Sequence, residues 1–176
     1  IINYKFLGNN PIQIKQAEKI FPISLTETDK KILNIISKDA RIPITLLAKR
    51  LDLPSHKIHY HLTNLIKNQI ILGFKVKLNV ELLGYQWHLL LIQLESADIE
   101  QKRVFTEFCK QHSKIYYISH MVGFYNIALD IHVSNPREFK SVLLELKEKF
   151  SDMIKLYESM IIFDEYKVDY VPKGII

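Results

Sequence analysis

The sequence predicts an α+β protein in which an N-terminal winged helix-turn-helix is followed by a ferredoxin-like β-α-β-β-α-β domain. Three short helical patterns, with a tight turn before the third, fill residues 26–67 and predict the helix-turn-helix. After residue 86, the patterns follow in the order strand, helix, strand, strand, helix, strand. The charge divides near the same place: residues 26–77 hold ten Lys or Arg and four acids, and residues 78–176 hold eleven and fourteen. A local basic excess is typical of a module that binds a phosphate backbone.

Each of the first three helices has a recognisable beginning and one apolar face. Thr26 can cap the first helix, because its hydroxyl can accept a hydrogen bond from the backbone N–H of Asp29. The second helix follows Pro43, and the third begins at Pro54 or Ser55 after a tight turn. The apolar faces recur at helical spacing and consist of Ile32, Leu33, Ile35 and Ile36, then Leu46, Leu47 and Leu51, then Ile58, Leu62, Leu65 and Ile66.

Residues 71–78 alternate between apolar and polar side chains. Phe74, Val76 and Leu78 share one face, and lysines occupy the other. This period of two predicts a half-buried strand, which would form the wing.

The second domain is predicted from alternating segments and two amphipathic helices. Asn135 followed by Pro136 is a strong helix start, with a capping side chain and then proline at the first helical position. The strands are predicted at residues 87–95, 114–121, 125–133 and 156–170, and the helices at 98–111 and 136–150.

The rest of the sequence predicts the limits of the domains and the cellular compartment of the protein. We predict a linker or the tail of a missing upstream segment over residues 1–24, the winged helix-turn-helix over 25–80 and the ferredoxin-like domain over 86–172. No apolar run approaches the roughly 18 residues that a membrane span needs. The single cysteine, Cys109, excludes an internal disulfide and lies on an apolar stripe, which indicates a buried thiol in a cytoplasmic protein.

The exposed face of the third helix supplies the candidate DNA contacts. Its polar residues are His56, Lys57, His59, Tyr60, Thr63, Asn64 and Lys67, and the wing adds Lys75 and Lys77. The Asn64 amide can pair with adenine in the major groove, whereas lysine and tyrosine suit phosphates. The alternative interpretation is a polar face that is merely solvated.

The histidines do not predict a metal site. His56 and His59 share a helix face, but His61 points elsewhere and no carboxylate lies at ligand spacing. We therefore predict neither a metal nor a cofactor. The four other histidines are interpreted as surface or half-buried structural residues: His88, His112, His120 and His132.

Several short strings, correctly spaced over residues 25–172, resemble the leucine-responsive and asparagine-operon regulator family, Lrp/AsnC. They are residues 25–33, residues 39–43 with Leu47-Ala48, Leu83-Gly84-Tyr85, and Val122-Gly123-Phe124-Tyr125. The resemblance implies a non-enzymatic regulator that binds double-stranded DNA and forms a homodimer or higher oligomer through its sheet domain. It also implies an amino-acid effector bound near the glycine turn, where the corresponding residues are His120, Gly123, Asn126 and Asp130.

Three positions depart from the family pattern and keep other interpretations open. Pro54 replaces the usual serine cap, His61 the usual arginine of the third helix, and Gln69 the usual glycine before the wing. One rival is a dimerisation or sensor module of the same fold that does not bind DNA. Another is an enzyme resembling siroheme decarboxylases, which share the two-domain architecture. The sheet domain could also pair with an upstream module of a tandem protein.

Overall fold

A computed structural model of the protein describes residues 23–74, 76–95 and 98–171. Within these ranges the chain forms two compact units. Among the described residues, the helical unit contains 23–74, 76 and 167–171, and the sheet unit contains 77–95 and 98–166. The predicted upstream segment lies outside the described residues except for its last two positions. The predicted domain limits stay predictions.

The helical unit contains the expected three helices, α1 (Glu27–Ile36), α2 (Ile44–Leu51) and α3 (Ser55–Lys67). Their apolar stripes meet in one core, whose buried members are Ile32, Leu33, Ile42, Leu47, Ala48, Ile58 and Leu65. Each such leucine or isoleucine contributes about 1.5–3 kcal/mol when it leaves water. None of the helices in the described ranges is long and apolar enough to span a membrane.

The sheet unit follows the predicted order of strands and helices. It consists of β1 (Gln86–Leu94), α4 (Ile99–Gln111), β2 (Ile115–His120), β3 (Ile127–Val133), α5 (Pro136–Phe150) and β4 (Ile154–Ile162). The four strands form one sheet in the order β2-β3-β1-β4, and every neighbouring pair is antiparallel. This confirms the α+β class and the arrangement predicted from the sequence.

One face of the sheet, the core face, packs against both helices of the unit. Its side chains share a buried cluster with Phe105 and Cys109 of α4 and with Val142 and Leu146 of α5. Burial raises the pKa of the Cys109 thiol to about 12, so this side chain is an inert core residue, as the sequence predicted.

The other face of the sheet, the open face, alternates with the core face along each strand. Paired residues of antiparallel strands lie on the same face, so the register assigns its members. They are Trp87, Leu89, Leu91 and Gln93 of β1, Ala128, Asp130 and His132 of β3, and Leu156, Glu158, Met160 and Ile162 of β4. Leu156 remains 46% exposed and Met160 38%.

Two strand predictions were wrong. The wing predicted at residues 71–78 is in no strand over its described positions, 71–74 and 76–78, and Val76 and Leu78 are exposed. The last strand ends at Ile162 rather than at residue 170, because its partner β1 begins at Gln86 and supplies no further backbone groups. Alternation alone cannot hold a strand when no neighbouring strand accepts its hydrogen bonds.

His88 corrects the interpretation that the scattered histidines lie at the surface or are half-buried. It occupies the core face of β1, in phase with Leu90 and Ile92, and is only 5% exposed. Its ring stacks on Phe139 of α5, with 4.3 Å between ring centroids and 15° between the planes. The Nε2 atom is buried without a hydrogen-bond partner among the described residues.

We predict a histidine-dependent loss of stability in acid. Burial lowers the pKa of His88, so the unfolded chain takes up the proton more readily than the folded protein. The free energy of unfolding should therefore fall as the pH drops below about 6.5, the ordinary histidine value, toward the lowered pKa of the folded state. His88→Phe keeps an aromatic ring against Phe139 and removes this titration.

Urea denaturation at several pH values between about 8 and about 5.5 tests this. The His88→Phe variant should lose less stability than the native protein over that interval. His120→Phe, the same change at an exposed histidine of β2, is the control and should leave the pH dependence in place. Parallel profiles for the native protein and His88→Phe would contradict the prediction.

Candidate nucleic-acid interface and effector region

The turn between α2 and α3 contains one residue in the left-handed backbone conformation. Asp52 has φ 51° and ψ 47°, which aspartate tolerates better than most residues. The N–H of the next residue, Leu53, donates to the carbonyl of Ala48 at 3.0 Å and ends α2. Ser55 is the first residue of α3 and Pro54 occupies the N-cap position, so the serine does not cap the helix.

The predicted DNA-contact residues of α3 lie on the side opposite its buried residues. At 3.6 residues per turn, these seven positions cover about half of the circumference, away from Ile58 and Leu65. Six are exposed, namely His56, Lys57, His59, Tyr60, Thr63 and Lys67, and Asn64 is half-buried. The Thr63 hydroxyl lies 3.5 Å from Nδ1 of His59, one turn earlier. The helix therefore presents a continuous polar surface.

The structure gives less support for DNA contacts by the two lysines predicted for the wing than for those on α3. Lys75 lies outside the described residues. Lys77 is exposed, and its ammonium forms an ion pair with Glu165 within the sheet unit. Other exposed cations of the helical unit include Arg41, Lys49 and Arg50.

His61 faces α1 rather than the polar surface of α3. Its Nδ1 lies 2.8 Å from Oδ1 of Asp29, and the two side chains are only 21% and 13% exposed. The same carboxylate closes the capping box of α1, because its Oδ2 accepts from the backbone N–H of Thr26 at 2.9 Å and from its hydroxyl at 2.6 Å. Desolvation raises the pKa of Asp29, but the hydrogen bonds from Thr26 and His61 outweigh it and leave the pKa below its ordinary value. The sequence left His61 without a partner, since the pair spans 32 positions.

The backbone at the end of α3 shows why glycine is the usual residue at the position that Gln69 occupies here. Ile70 N–H donates to the Leu65 carbonyl at 2.9 Å, and Gln69 N–H donates to the Ile66 carbonyl at 3.0 Å. These are the two hydrogen bonds of a Schellman motif. The motif requires a left-handed residue at position 69, and Gln69 accordingly has φ 58°. Glycine normally takes this role because it has no Cβ to clash.

The residues predicted for the effector do not form one pocket. His120 is exposed, and its Nε2 lies 3.2 Å from the Thr106 hydroxyl of α4. Asp130 accepts from the indole Nε1 of Trp87 at 2.9 Å on the open face. A Cβ on Gly123 would meet only the Tyr125 carbonyl, at an ordinary 3.7 Å, so nothing within the described chain demands glycine there.

Asn126 acts as a structural clamp at the start of β3. Its Oδ1 accepts from the backbone N–H of Leu94 at 2.9 Å, and its Nδ2 donates to the carbonyl of the same residue at 2.8 Å. The side chain thus replaces one peptide group of the ladder, which explains why β3 begins at Ile127 and not at Tyr125. Its role in effector binding stays a prediction, but both functions of its amide are already engaged.

Two features of the sheet unit were missed from the sequence. On the open face, the Tyr125 hydroxyl donates a hydrogen bond to the Glu158 carboxylate at 2.9 Å, which raises the pKa of Tyr125. On the same face, the Oε1 atom of Gln93 is buried without a hydrogen-bond partner among the described residues. On the helix side, a cavity of about 530 Å³ separates the end of α4 from α5. Its polar lining includes His112, Lys114 and Glu138, and it contains none of the predicted effector residues. Both features depend on pairs distant in sequence.

Comparisons with known proteins agree on one class of function. A family profile described as winged helix-turn-helix DNA-binding matches residues 25–71. The proline dehydrogenase transcriptional activator of Rhizobium radiobacter is 31% identical over 124 residues, which cover 69% of this chain and 78% of that protein. An uncharacterised HTH-type transcriptional regulator of Pyrococcus furiosus is 28% identical over 123 residues, covering 69% and 81%.

Solved structures of the same overall fold extend the likeness to nearly the whole chain. A transcriptional regulator from Neisseria meningitidis in complex with L-methionine has a TM-score of 0.76 at 16% identity, covering 87% of this chain and 100% of that one. The AsnC structure from E. coli has a TM-score of 0.71 at 20% identity, covering 85% and 99%. At such identities the likeness shows the fold alone.

The Schellman motif generates a stability prediction. Gln69→Gly should raise the free energy of unfolding by about 1 kcal/mol, because glycine adopts the left-handed conformation without the clash of a Cβ. Gln69→Ala is the matched control, since it removes the same side chain but keeps the Cβ, and it should give no such gain. Chemical denaturation measures both, and equal stability of the two variants would contradict the prediction.

Proposed function

This chain belongs to the Lrp/AsnC family of DNA-binding transcriptional regulators, and from that premise we propose that α3 is the helix that reads its DNA. The observation that carries the proposal is the position of the polar residues, which lie on the side of α3 opposite the core of the helical unit. An α-helix of this size fits the major groove, where amide and imidazole groups can meet base edges. Asn64 is the proposed base-reading residue.

The proposed phosphate contacts are the lysines of this surface and of the segment after α3. Lys57 and Lys67 are exposed on α3. Lys77 would have to leave Glu165 to reach a phosphate, and Lys75 remains a proposal from the sequence alone. Cations at these positions would hold the helix against the backbone without reading sequence.

A regulator is favoured over both rivals. The similar proteins described above are transcriptional regulators, which supports a non-enzymatic role for this chain. A module of the same fold that does not bind DNA would have no need for this surface. Of its seven residues, six are exposed and none is acidic.

We propose that the open face of the sheet pairs with a second copy of this face. It carries half-exposed apolar residues, among them Leu156 and Met160, and the acceptor of Gln93, which has no partner in the part of the chain that the structure describes. Burying such a surface against a copy of itself is a typical basis for a two-fold dimer. Two α3 helices related in this way would read half-sites about 34–36 Å apart, one turn of DNA. A module upstream in the same polypeptide is the alternative partner.

An amino-acid effector is proposed on narrower grounds. The related structure from Neisseria meningitidis was solved with L-methionine, and the loop before β3 exposes Val122 and Phe124 beside the predicted residues. Because the amide of Asn126 is bound to Leu94 and His120 contacts α4 on the helix side of the sheet, an effector on the open face would depend on the second oxygen of Asp130 and on the loop that contains Gly123. Thermal-shift titration with free L-amino acids, L-methionine first, tests this.

The DNA-binding role predicts a specific change in salt dependence. Lys57→Ala combined with Lys67→Ala should weaken binding to duplex DNA of any sequence, because lysines that neutralise phosphates release counterions. The slope of log K against log salt should shrink by about 0.9 for each phosphate that the variant no longer neutralises. Fluorescence anisotropy over a salt series provides the measurement.

The matched control removes two exposed helical lysines of the sheet unit, Lys102 and Lys140, and therefore the same total charge. Its affinity and slope should stay close to those of the native protein. If both double variants behave alike, or if the native protein does not bind random duplex at low salt, α3 is not a DNA-reading helix.

The dimer predicts a contrast between two exposed apolar residues. Met160→Glu places a charge on the open face, at a site that is 38% exposed, and should shift the protein from dimer to monomer. Leu144→Glu, at a site 47% exposed on α5, should leave the dimer intact. Sedimentation velocity distinguishes the two, and circular dichroism checks folding. A native protein that sediments as a monomer, or an unaffected Met160→Glu dimer, would overturn the proposal.

A further inference from the structure

His61 connects the proposed reading helix to the first helix of the same unit. The imidazole lies on α3, the carboxylate of Asp29 lies in the first turn of α1, and Nδ1 and Oδ1 are 2.8 Å apart. Both side chains are largely buried, at 21% and 13% exposure, so water screens the contact less than it would a surface pair. His61 therefore ties α3 to α1 through an ionisable contact.

The chemistry of the pair assigns the proton. Because the pKa of Asp29 is lowered, its carboxylate is ionised and both oxygens can only accept hydrogen bonds. Oδ2 already accepts from the backbone N–H and the hydroxyl of Thr26. The imidazole must consequently donate through Nδ1–H. In the neutral ring this is an ordinary hydrogen bond, and in the protonated ring it becomes a charge-assisted one, which is roughly twice as strong.

The surroundings of the ring contain few other charges. Tyr60 presents its ring edge-on at a centroid distance of 5.8 Å. Lys30, the next residue of α1, forms its ion pair with Glu27 at 2.8 Å instead. The cations of α2, Lys49 and Arg50, are exposed. Asp29 is therefore the charged group that contacts His61 among the described residues.

We propose that His61 is a positioning residue, which holds α3 at its DNA-reading angle through Asp29 more firmly when the ring is protonated. The inference rests on the proposed role of α3 in DNA binding. In the protonated ring the contact with the Asp29 carboxylate is charge-assisted, so it strengthens on acidification. DNA affinity consequently rises as the pH falls, by an amount on the order of fivefold between about pH 8 and pH 6.

The arginine that is usual at this position in the family provides the test. His61→Arg supplies a permanent charge that can still reach Asp29, so its DNA affinity should be independent of pH and close to that of the native protein in acid. His61→Gln supplies a neutral donor, and its affinity should be equally flat but close to that of the native protein at about pH 8.

The exposed histidines of α3 require a separate control, because His56 and His59 could also gain affinity by meeting phosphates when protonated. The double variant His56→Gln with His59→Gln should keep the pH dependence of the native protein. Fluorescence anisotropy with random duplex DNA at constant ionic strength, between about pH 6 and pH 8, compares the four proteins, and thermal unfolding checks that each is folded.

The outcomes separate this inference from the proposal on which it rests. A pH dependence that persists in His61→Arg, or that disappears in the His56 and His59 double variant, overturns the role of His61. A native protein whose binding depends on Lys57 and Lys67 but not on pH overturns it as well, while α3 remains the reading helix. Absence of DNA binding at low salt at every pH overturns both.

Discussion

The need of every backbone N–H and C=O for a partner decides which segments of this chain become regular structure. β1 forms because β3 and β4 flank it on both sides, and β4 stops where β1 can offer nothing more. The same requirement places the Asn126 side chain beside Leu94, where a peptide group would otherwise continue the ladder. Residues 76–78, which alternate as regularly as the strands, remain outside the sheet because no strand receives them.

The helical unit satisfies the requirement by different means. Thr26 and Asp29 cap the beginning of α1, and left-handed residues at Asp52 and Gln69 end α2 and α3. Each left-handed turn brings the chain back over the core, so that the residue after it can pack. The polar surface of α3 therefore depends on backbone geometry at both ends of the helix as much as on its own side chains.

Much of this architecture could be predicted from the sequence, because hydrophobic periodicity and helix capping are properties of short stretches of chain. The Thr26 cap, the start of α5 at Pro136 and the order of the strands all follow from short strings. Contacts between distant residues could not be predicted. His61 with Asp29, Tyr125 with Glu158 and His88 with Phe139 each join elements whose relative placement is decided by packing. The candidate DNA surface was therefore easier to find than the residue that orients it.

β4 has a consequence for handling the isolated protein. It is an edge strand with Leu156, Met160 and Ile161 still partly exposed, and its outer backbone groups face no other strand in the described chain. Such an edge is a template for uncontrolled strand addition between molecules. Lys155, paired with Glu95 at 2.5 Å, places a charge near the beginning of this edge, and charged residues at such positions disfavour strand addition. We therefore expect a side chain that takes no part in the core of either unit to reduce aggregation of the isolated protein.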